Sequence, residues 1–443
     1  MMLRGFVVIL TLSIAIYMCT MLWLQTKYGD STTVDDYPRQ EENKTTGGGG
    51  GVDRSLFIEK RSNVVSTATV STQRAGVKSV DKTSSSARLL LYINAFGFGG
   101  PNCQYGYFTS ALKYSLSQNR SLVNAVLFME HDMFNKHSKI KDTKSLEETF
   151  DTKMMKEIVN IVTVQEFNEK CNHTVAAIVA DPSGGANMTN SFSRSAKLYR
   201  SAFGIALPEY QNLPETEDPL ADQLQAVSSM KCVGLWVHRD HKGDFSPAVH
   251  DKIIKHMELS PDIRKTAGSI RQNVLKGKPY IAIHWRNKPQ EIYTAFCKFL
   301  GNDENPPCDY YKRDVERMNE ISVHLAKSLQ KFMKNRNFTQ IYVASPPIST
   351  NFVGELRSFA VPNVFSARNI TGDVVASIDD EKNDPYLWSL VEQQICIDAD
   401  IFIGHYNSTW SQRVRERRAV NIAKSLTIKH FLDDTGELFS RRR

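Results

Sequence analysis

The sequence predicts an α/β protein built from two units with mostly parallel sheets. Two features predict it. From Arg88 onward, apolar runs of strand length alternate with stretches of helical pattern, which is how crossover helices join parallel strands. The runs also fall into two groups, divided by a helical linker near 260–278. At 443 residues the chain is long enough for both units and for tails outside them, at about 100–200 residues per domain.

The segment before Arg88 belongs to neither unit. Phe6 to Leu24 reads FVVILTLSIAIYMCTMLWL, 19 residues without a charge. A helix of that length, rising about 1.5 Å per residue, nearly crosses a hydrocarbon core of about 30 Å. A cleaved signal peptide is the alternative, but it would carry a shorter apolar region and a small-residue cleavage site; an uncleaved anchor is the better reading. Arg4 before the run and Lys27 after it leave its orientation to other evidence. Residues 25–87 contain Gly47 to Gly51 and a Ser/Thr/Val-rich stretch ending at Ser86. Such a segment buries too little apolar surface to offset its ordering entropy and reads as a flexible stem.

Charge and cysteine usage bear on partners and compartment. The net charge is +7, but outside Arg413 to Arg418 and the terminal Arg441-Arg442-Arg443 it is dispersed, as on an ordinary solvated face. No homeodomain, zinc-finger or RNP pattern points to nucleic acid. Seven Asn-x-Ser/Thr sequons begin at Asn43, Asn119, Asn172, Asn187, Asn337, Asn369 and Asn407, all beyond the apolar run. Of seven cysteines, Cys19 lies in that run; Cys103, Cys171, Cys232, Cys297, Cys308 and Cys396 are even in number and allow three disulfides in an oxidising lumen. Cys297 and Cys308, closing a Gly/Asn/Pro-rich loop, are the pair the spacing favours. No spacing is CxxC-like, which argues against zinc. Tail, anchor, stem and luminal domain in that order is the layout of a type II membrane protein of the Golgi, with the endoplasmic reticulum as the alternative.

Strand candidates of the first unit are Leu89 to Ile93, Ala125 to Met129, Ile158 to Val164, Val175 to Val179 and Val233 to Val237. The second offers Tyr280 to His284, Ile341 to Ala344, Val364 to Phe365 and Ile401 to Ile403. Helical pattern fills 103–118, 312–334 and 384–398. The division that follows is a tail at 1–5, an anchor at 6–24, a stem at 25–87 and two halves at 88–270 and 271–443. Ligands in such folds bind beyond the carboxyl ends of the strands, so the loops there are where chemistry is sought.

Three segments stand out in those loops. Tyr280 to Arg286 is a buried strand ending in His284 and Arg286, two residues apart and therefore on one face. An arginine fork suits a phosphate-bearing leaving group, although a strand-terminal arginine is more often a surface ion-pair residue. Leu390 to Ser411 reads as a helix, a turn, a short strand ending at Gly404 and a hydroxyl-rich loop with Ser408 and Thr409 opening another helix near Trp410. A helix N-terminus with neighbouring hydroxyls can cradle phosphate; simple capping is the commoner use of such residues. The third segment, Asn94 to Gln104, contains Gly97, Gly99 and Gly100 between a strand and a helix. It permits close backbone approach to a ligand but is not the GxGxxG dinucleotide fingerprint.

In this order and separation the three segments resemble the GDP-fucose protein O-fucosyltransferase superfamily. The matching residues are the glycine loop with Asn102-x-Gln104, His284-x-Arg286, Ile341-Tyr342-Val343-Ala344, and Ala399-Asp400-x-Phe402-Ile403-Gly404 followed by Ser408-Thr409-Trp410. The resemblance spans about 88–420. It implies a GT-B arrangement, two Rossmann-like halves facing across a cleft, with GDP-fucose held mainly by the second half. It further implies that Arg286 stabilises the departing β-phosphate and that His284 lines the nucleotide pocket. Glu392 falls at a guanine-contacting acid, and Thr409 and Trp410 at phosphate and base contacts, with Ser408 beside them. Asn102, or Cys103 in an ungapped alignment, falls at the acceptor-side Asn, near Gly99 and Gly100. The implied reaction is inverting transfer of fucose from GDP-fucose to a Ser or Thr hydroxyl, without a metal or other cofactor. A glycan acceptor and a catalytically silent recognition module are the alternatives. Two departures from the family pattern are plain. Asn287-Lys288-Pro289-Gln290-Glu291 follows Arg286, where a Gly or Arg and then an Asp are usual, and Ser345-Pro346 replaces a Thr-Asp.

Overall fold

A computed structural model describes residues 88–94, 101–129, 143–180, 187–208, 220–237, 245–298, 306–346, 351–361, 363–367, 370, 384–405 and 407–432. The expected anchor, the stem, Gly99 and Gly100 lie outside these residues. Among the described residues no helix is long and apolar enough to cross a membrane.

The fold is α/β with two parallel sheets. The first comprises β1 (Leu89–Asn94), β2 (Ser121–Val123), β5 (Ile161–Val162), β6 (Ala177–Ala180) and β7 (Cys232–Val237), ordered β5-β2-β1-β7-β6. The second comprises β8 (Ile281–His284), β9 (Ile341–Ala344), β10 (Val364–Ser366), β11 (Ile401–Gly404) and β12 (Ser425–Thr427), ordered β10-β9-β8-β11-β12. Every pairing within both sheets is parallel. β3 (Leu127–Met129) and β4 (Thr143–Ser145) form a separate antiparallel pair, so the 125–129 run is a hairpin strand rather than part of a main sheet.

Sequence explains the central strands directly. β1 (LLLYIN), β8 (IAIH), β9 (IYVA) and β11 (IFIG) are buried along their whole length, and continuous apolar runs are what a sheet covered on both faces requires. In the first sheet the chain runs β1-β2-β5 to one edge, crosses to β6 at the other and returns inward to β7 beside β1, whereas the second sheet reverses its direction of growth between β8 and β11. Such a switch point opens a crevice between the loops that leave the two adjoining strands.

Helices cover the sheets: α1 (Pro101–Ser117), α2 (Asn187–Phe203), α3 (Pro247–His256), α4 (Pro261–Asn273), α5 (Lys288–Ile292), α6 (Pro306–Arg336), α7 (Asn351–Ser358), α8 (Pro385–Asp398) and α9 (Thr409–Val420). Pro101 opens α1, where its missing N–H is no loss, so Asn102 and Cys103 lie in a helical first turn and not in the preceding loop. Asp384 caps α8 by accepting from the N–H groups of Tyr386 and Leu387.

One core cluster runs through both sheets, joining Leu90 and Val233 of the first, with Phe108 of α1, to Ala282, Tyr342 and Phe402 of the second. Polar contacts follow the same seam. Tyr105 on α1 donates to the Tyr386 hydroxyl on α8 at 2.8 Å, and that hydroxyl lies 3.0 Å from Thr149. Lys144 pairs with Asp384 at 2.6 Å. Arg264 on α4 bridges Asp151 and Glu258, and Arg417 on α9 reaches the same Glu258 at 3.5 Å.

Two disulfides close, Cys297–Cys308 as expected and Cys171–Cys232. The third that the cysteine count allows does not form. Cys396 is buried within α8, and Cys103 sits on α1 beside Thr409.

Candidate active site

The switch point of the second sheet carries the candidate site. β8 delivers His284 at its last position and Arg286 just beyond it. β11 ends at Gly404, His405 follows, and α9 starts at Thr409 with Ser408 as its N-cap. The Ser408 side chain accepts from the Ser411 N–H at 3.4 Å, so the capping reading of Ser408 is the observed one. That bond fixes the first turn of α9 and with it Ser411.

Ser411 is the hub. Its Oγ accepts from the His405 backbone N–H at 2.9 Å and lies 2.7 Å from His284 Nδ1. The hydroxyl keeps a second acceptor position and its own proton, so it can meet Nδ1 in either tautomer of a neutral ring. The neutral ring is required on electrostatic grounds. Burial holds the His284 pKa well below its usual value, helped by His405, Arg286 and Arg415. His405 is pushed down to about 4 by burial and by Arg286 and Arg415. Two uncharged imidazoles thus stand among two arginines.

Arg286 has a carboxylate partner. Its Nε donates to both oxygens of Glu291, at 3.1 and 3.2 Å, and Nη2 donates to Oε2 at 2.9 Å. Glu291 is buried, on the one-turn helix α5 whose N-cap is Asn287 and which Pro289 helps to start. The segment that departs from the family pattern therefore supplies the acid that orients the arginine. Arg415, on α9, donates from Nη1 to the His405 carbonyl at 3.2 Å.

Trp410 stacks on His284, centroids 4.2 Å apart and planes 22° off parallel, and its indole N–H donates to Ser389 at 3.0 Å. Thr409 is exposed, with Cys103 of α1 donating to its hydroxyl over 3.9 Å. Asn102 accepts from Gln393 of α8 at 2.8 Å, which ties the first turn of α1 to the second half. The Glu392 carboxyl accepts from the Tyr342 hydroxyl at 3.0 Å in the seam between α8 and β9, with Cys396 as an electrostatic neighbour. Burial pushes its pKa up to about 8, against the opposing Tyr342 bond.

The structure thus gathers His284, Arg286, Ser408, Thr409 and Trp410, and sets Asn102 on the facing helix. Glu392 is buried on α8 and bonded to Tyr342, between Ser389, which meets Trp410, and Gln393, which meets Asn102. His405, Glu291, Ser411 and Arg415 were not singled out in the sequence. His405 and Ser411 stand next to residues that were, so widening each motif by one position would have found them.

Among the described residues no group of three or more His, Cys, Asp or Glu is placed to hold a metal ion. A family model, GDP-fucose protein O-fucosyltransferase, matches residues 90–421. The chain belongs to this family. As a member it is a GDP-fucose-dependent glycosyltransferase, a fucosyltransferase by class. Solved structures of similar fold include POFUT1 in complex with GDP, 15% identical, covering 78% of this chain and 99% of that one at a TM-score of 0.50. The apo form of POFUT1 is also 15% identical over the same shares, with a TM-score of 0.51. A weaker likeness, 11% identical over 74% of this chain and 92% of the other at a TM-score of 0.39, is to fucosyltransferase NodZ from Bradyrhizobium. No curated protein sequence matches the chain.

Proposed function

We propose that this family member transfers fucose from GDP-fucose to a Ser or Thr hydroxyl of a protein in the secretory pathway, with inversion at the anomeric carbon. The observation that carries the reading is the cationic cluster at the second sheet's switch point. There Arg286 is aimed by Glu291 beside neutral His284, at the N-terminus of α9. In the proposed step the acceptor oxygen attacks fucose C1 while the bond from C1 to the β-phosphate oxygen breaks. The electron pair of that bond leaves with GDP, and the hydroxyl proton is released. One displacement gives inversion. Negative charge grows on the departing oxygen, and a preset guanidinium and helix-end N–H groups in a water-poor site stabilise it without reorganising. Asn102, on the helix that faces this site, is the proposed acceptor-side residue.

The proposed setting is the Golgi lumen, with 6–24 as a type II anchor, 25–87 as stem and the halves meeting near 270. Two disulfides support an oxidising compartment. So do sequon asparagines at exposed positions, Asn119, Asn172, Asn337 and Asn407.

The test is calorimetry on the full-length chain with GDP-fucose, GDP, GDP-mannose and UDP-sugars. It is followed by transfer assays on folded cysteine-rich domains and on free glycans, reading the anomeric configuration by NMR. Selective GDP and GDP-fucose binding with β/α inversion on a Ser or Thr is expected. Failure of the folded protein to bind any of these nucleotides, or transfer to glycans alone, would overturn the reading.

A further inference from the structure

Arg286 and Arg415 differ in how their charge is balanced. Glu291 occupies two nitrogens of Arg286, so that guanidinium enters the free enzyme already compensated. Arg415 has no carboxylate within ion-pair distance among the described residues. Its neighbour Glu416 is taken up by Gln412 and Arg413, each at 2.7 Å. What Arg415 does have is a backbone carbonyl, that of His405, and half-burial that works against its charge.

The fold holds this cation in place at some cost. Arg415 lies one turn beyond Ser411 on the same helix face, so it projects to the side where Ser411 joins His284 to His405. Its Nη1 passes the end of β11 so closely that a Cβ on Gly404 would stand 3.0 Å from it and 3.1 Å from the Ser411 Cβ. Phe402 Cε1 would stand nearer still, at 2.9 Å, so glycine at this strand end leaves room for the aromatic ring, the Ser411 side chain and the guanidinium together. Among the described residues Glu416 is the carboxylate that supports its charge, and Glu416 is already shared with Gln412 and Arg413, so an arriving anion would complete a half-buried cation that its neighbours compensate only in part.

We infer that Arg415 is the second cation for the nucleotide diphosphate. This rests on the donor reading above and divides labour within it. Arg415 supplies attraction for the diphosphate in the bound ground state. Arg286, compensated until charge builds on the departing oxygen, acts mainly in the transition state.

The experiment measures GDP and inorganic pyrophosphate binding by calorimetry, and steady-state transfer, for full-length wild type, Arg415→Ala, Arg415→Lys and Arg286→Ala. Melting temperature controls for folding. Arg415→Ala is expected to weaken both ligands by about tenfold or more, with the kinetic loss in KM, and Arg415→Lys to recover part of it because charge is kept and the fork lost. Arg286→Ala is expected to lose kcat. Wild-type affinity for GDP in Arg415→Ala, or an equal kcat loss in both alanine variants, overturns the inference and leaves the donor reading standing. Absence of GDP binding by wild type sinks the donor reading instead. If Arg415→Ala does not fold, Arg415→Gln decides: wild-type GDP and pyrophosphate affinity in the folded variant overturns the assignment, while weaker binding of both with the kinetic loss in KM upholds it.

Discussion

At the end of β1, Asn94 is fully buried and every polar group on it is met by a neutral partner. Its amide nitrogen donates to Gln104 and to the Leu127 carbonyl at 2.7 and 2.8 Å, its backbone N–H donates to Tyr199, and its carbonyl accepts from Ser195. At the end of β8, the equivalent point of the second sheet, stand a buried neutral histidine and a guanidinium, with a second guanidinium across from β11. The scaffolds match in strand direction, and β1 and β8 each lie at the centre of a five-stranded parallel sheet. What differs is whether the strand end satisfies itself. A closed amide network specifies one conformation and has nothing left for a ligand; an excess of positive charge held by carbonyls and one carboxylate is incomplete until an anion arrives. The donor half is thus distinguished by electrostatics, and the first half by saturation.

The largest effect is expected of Arg286→Ala. Transfer should fall by about 10²–10³-fold, the loss seen when a preset donor to a developing oxyanion is removed; because Glu291 is then left buried without its partner, the melting temperature should fall as well, and transfer is compared on protein shown to be folded. A matched pair of glycines comes next. At Gly234 in β7 an added Cβ would stand 2.9 Å from Ile93 Cδ1 and 3.1 Å from Ile178 Cγ1. Gly234→Ala should therefore cost about 1–3 kcal/mol of stability by overpacking with donor affinity intact. Gly404→Ala should cost stability too, since the nearest atom to its Cβ is Phe402 Cε1 at 2.9 Å, and should in addition weaken donor binding, because Arg415 Nη1 and the Ser411 Cβ follow at 3.0 and 3.1 Å. Denaturant melts and GDP calorimetry on both variants separate the two outcomes; equal effects on affinity would erase the contrast.

A pH effect follows from Glu392. Its folded pKa of about 8 lies above the ordinary carboxylate value, so the native state binds the proton more tightly than the unfolded chain does. This contribution is fully present below the ordinary carboxylate range and is lost as pH rises towards 8. Glu392→Gln, which keeps a partner for Tyr342 without the charge, should melt above wild type by a margin that widens as pH is raised across that window. The smallest effect expected is at Ile422, a β-branched residue at φ 56° and 97% exposed just after α9. Relieving the left-handed backbone by Ile422→Gly should raise stability by about 1 kcal/mol, measurable as a shift in denaturant midpoint, with donor affinity as the control.

How much of this was legible depended on burial. β1, β8, β9 and β11 are continuous apolar runs and could be read directly. β2 and β12 are three residues each, opening on Ser121 and Ser425, and owe their existence to the neighbouring strand rather than to their own pattern. His284, Arg286 and Ser408 to Trp410 were legible because they sit at strand ends or helix starts, which composition marks. Arg415 was not. It belongs to a run in which Arg413 pairs with Glu416 and Arg417 with Glu258, while Arg418 is fully buried and donates to carbonyls including those of Ile397, Ala399 and Lys424. Four arginines in one polar stretch have four environments, and only the packing of α9 against two strand ends tells them apart.

The hydroxyl chain from Tyr105 through Tyr386 to Thr149, embedded in an apolar cluster that spans both sheets, has a consequence for how the molecule is made. A chain cut between the sheets would expose that cluster on each fragment and strand its hydroxyls in it. The halves are therefore partners in folding rather than modules that fold and then meet. On heating, calorimetry should record them as one cooperative transition, and synthesis of the first half alone should yield an intermediate in need of a chaperone until the second emerges.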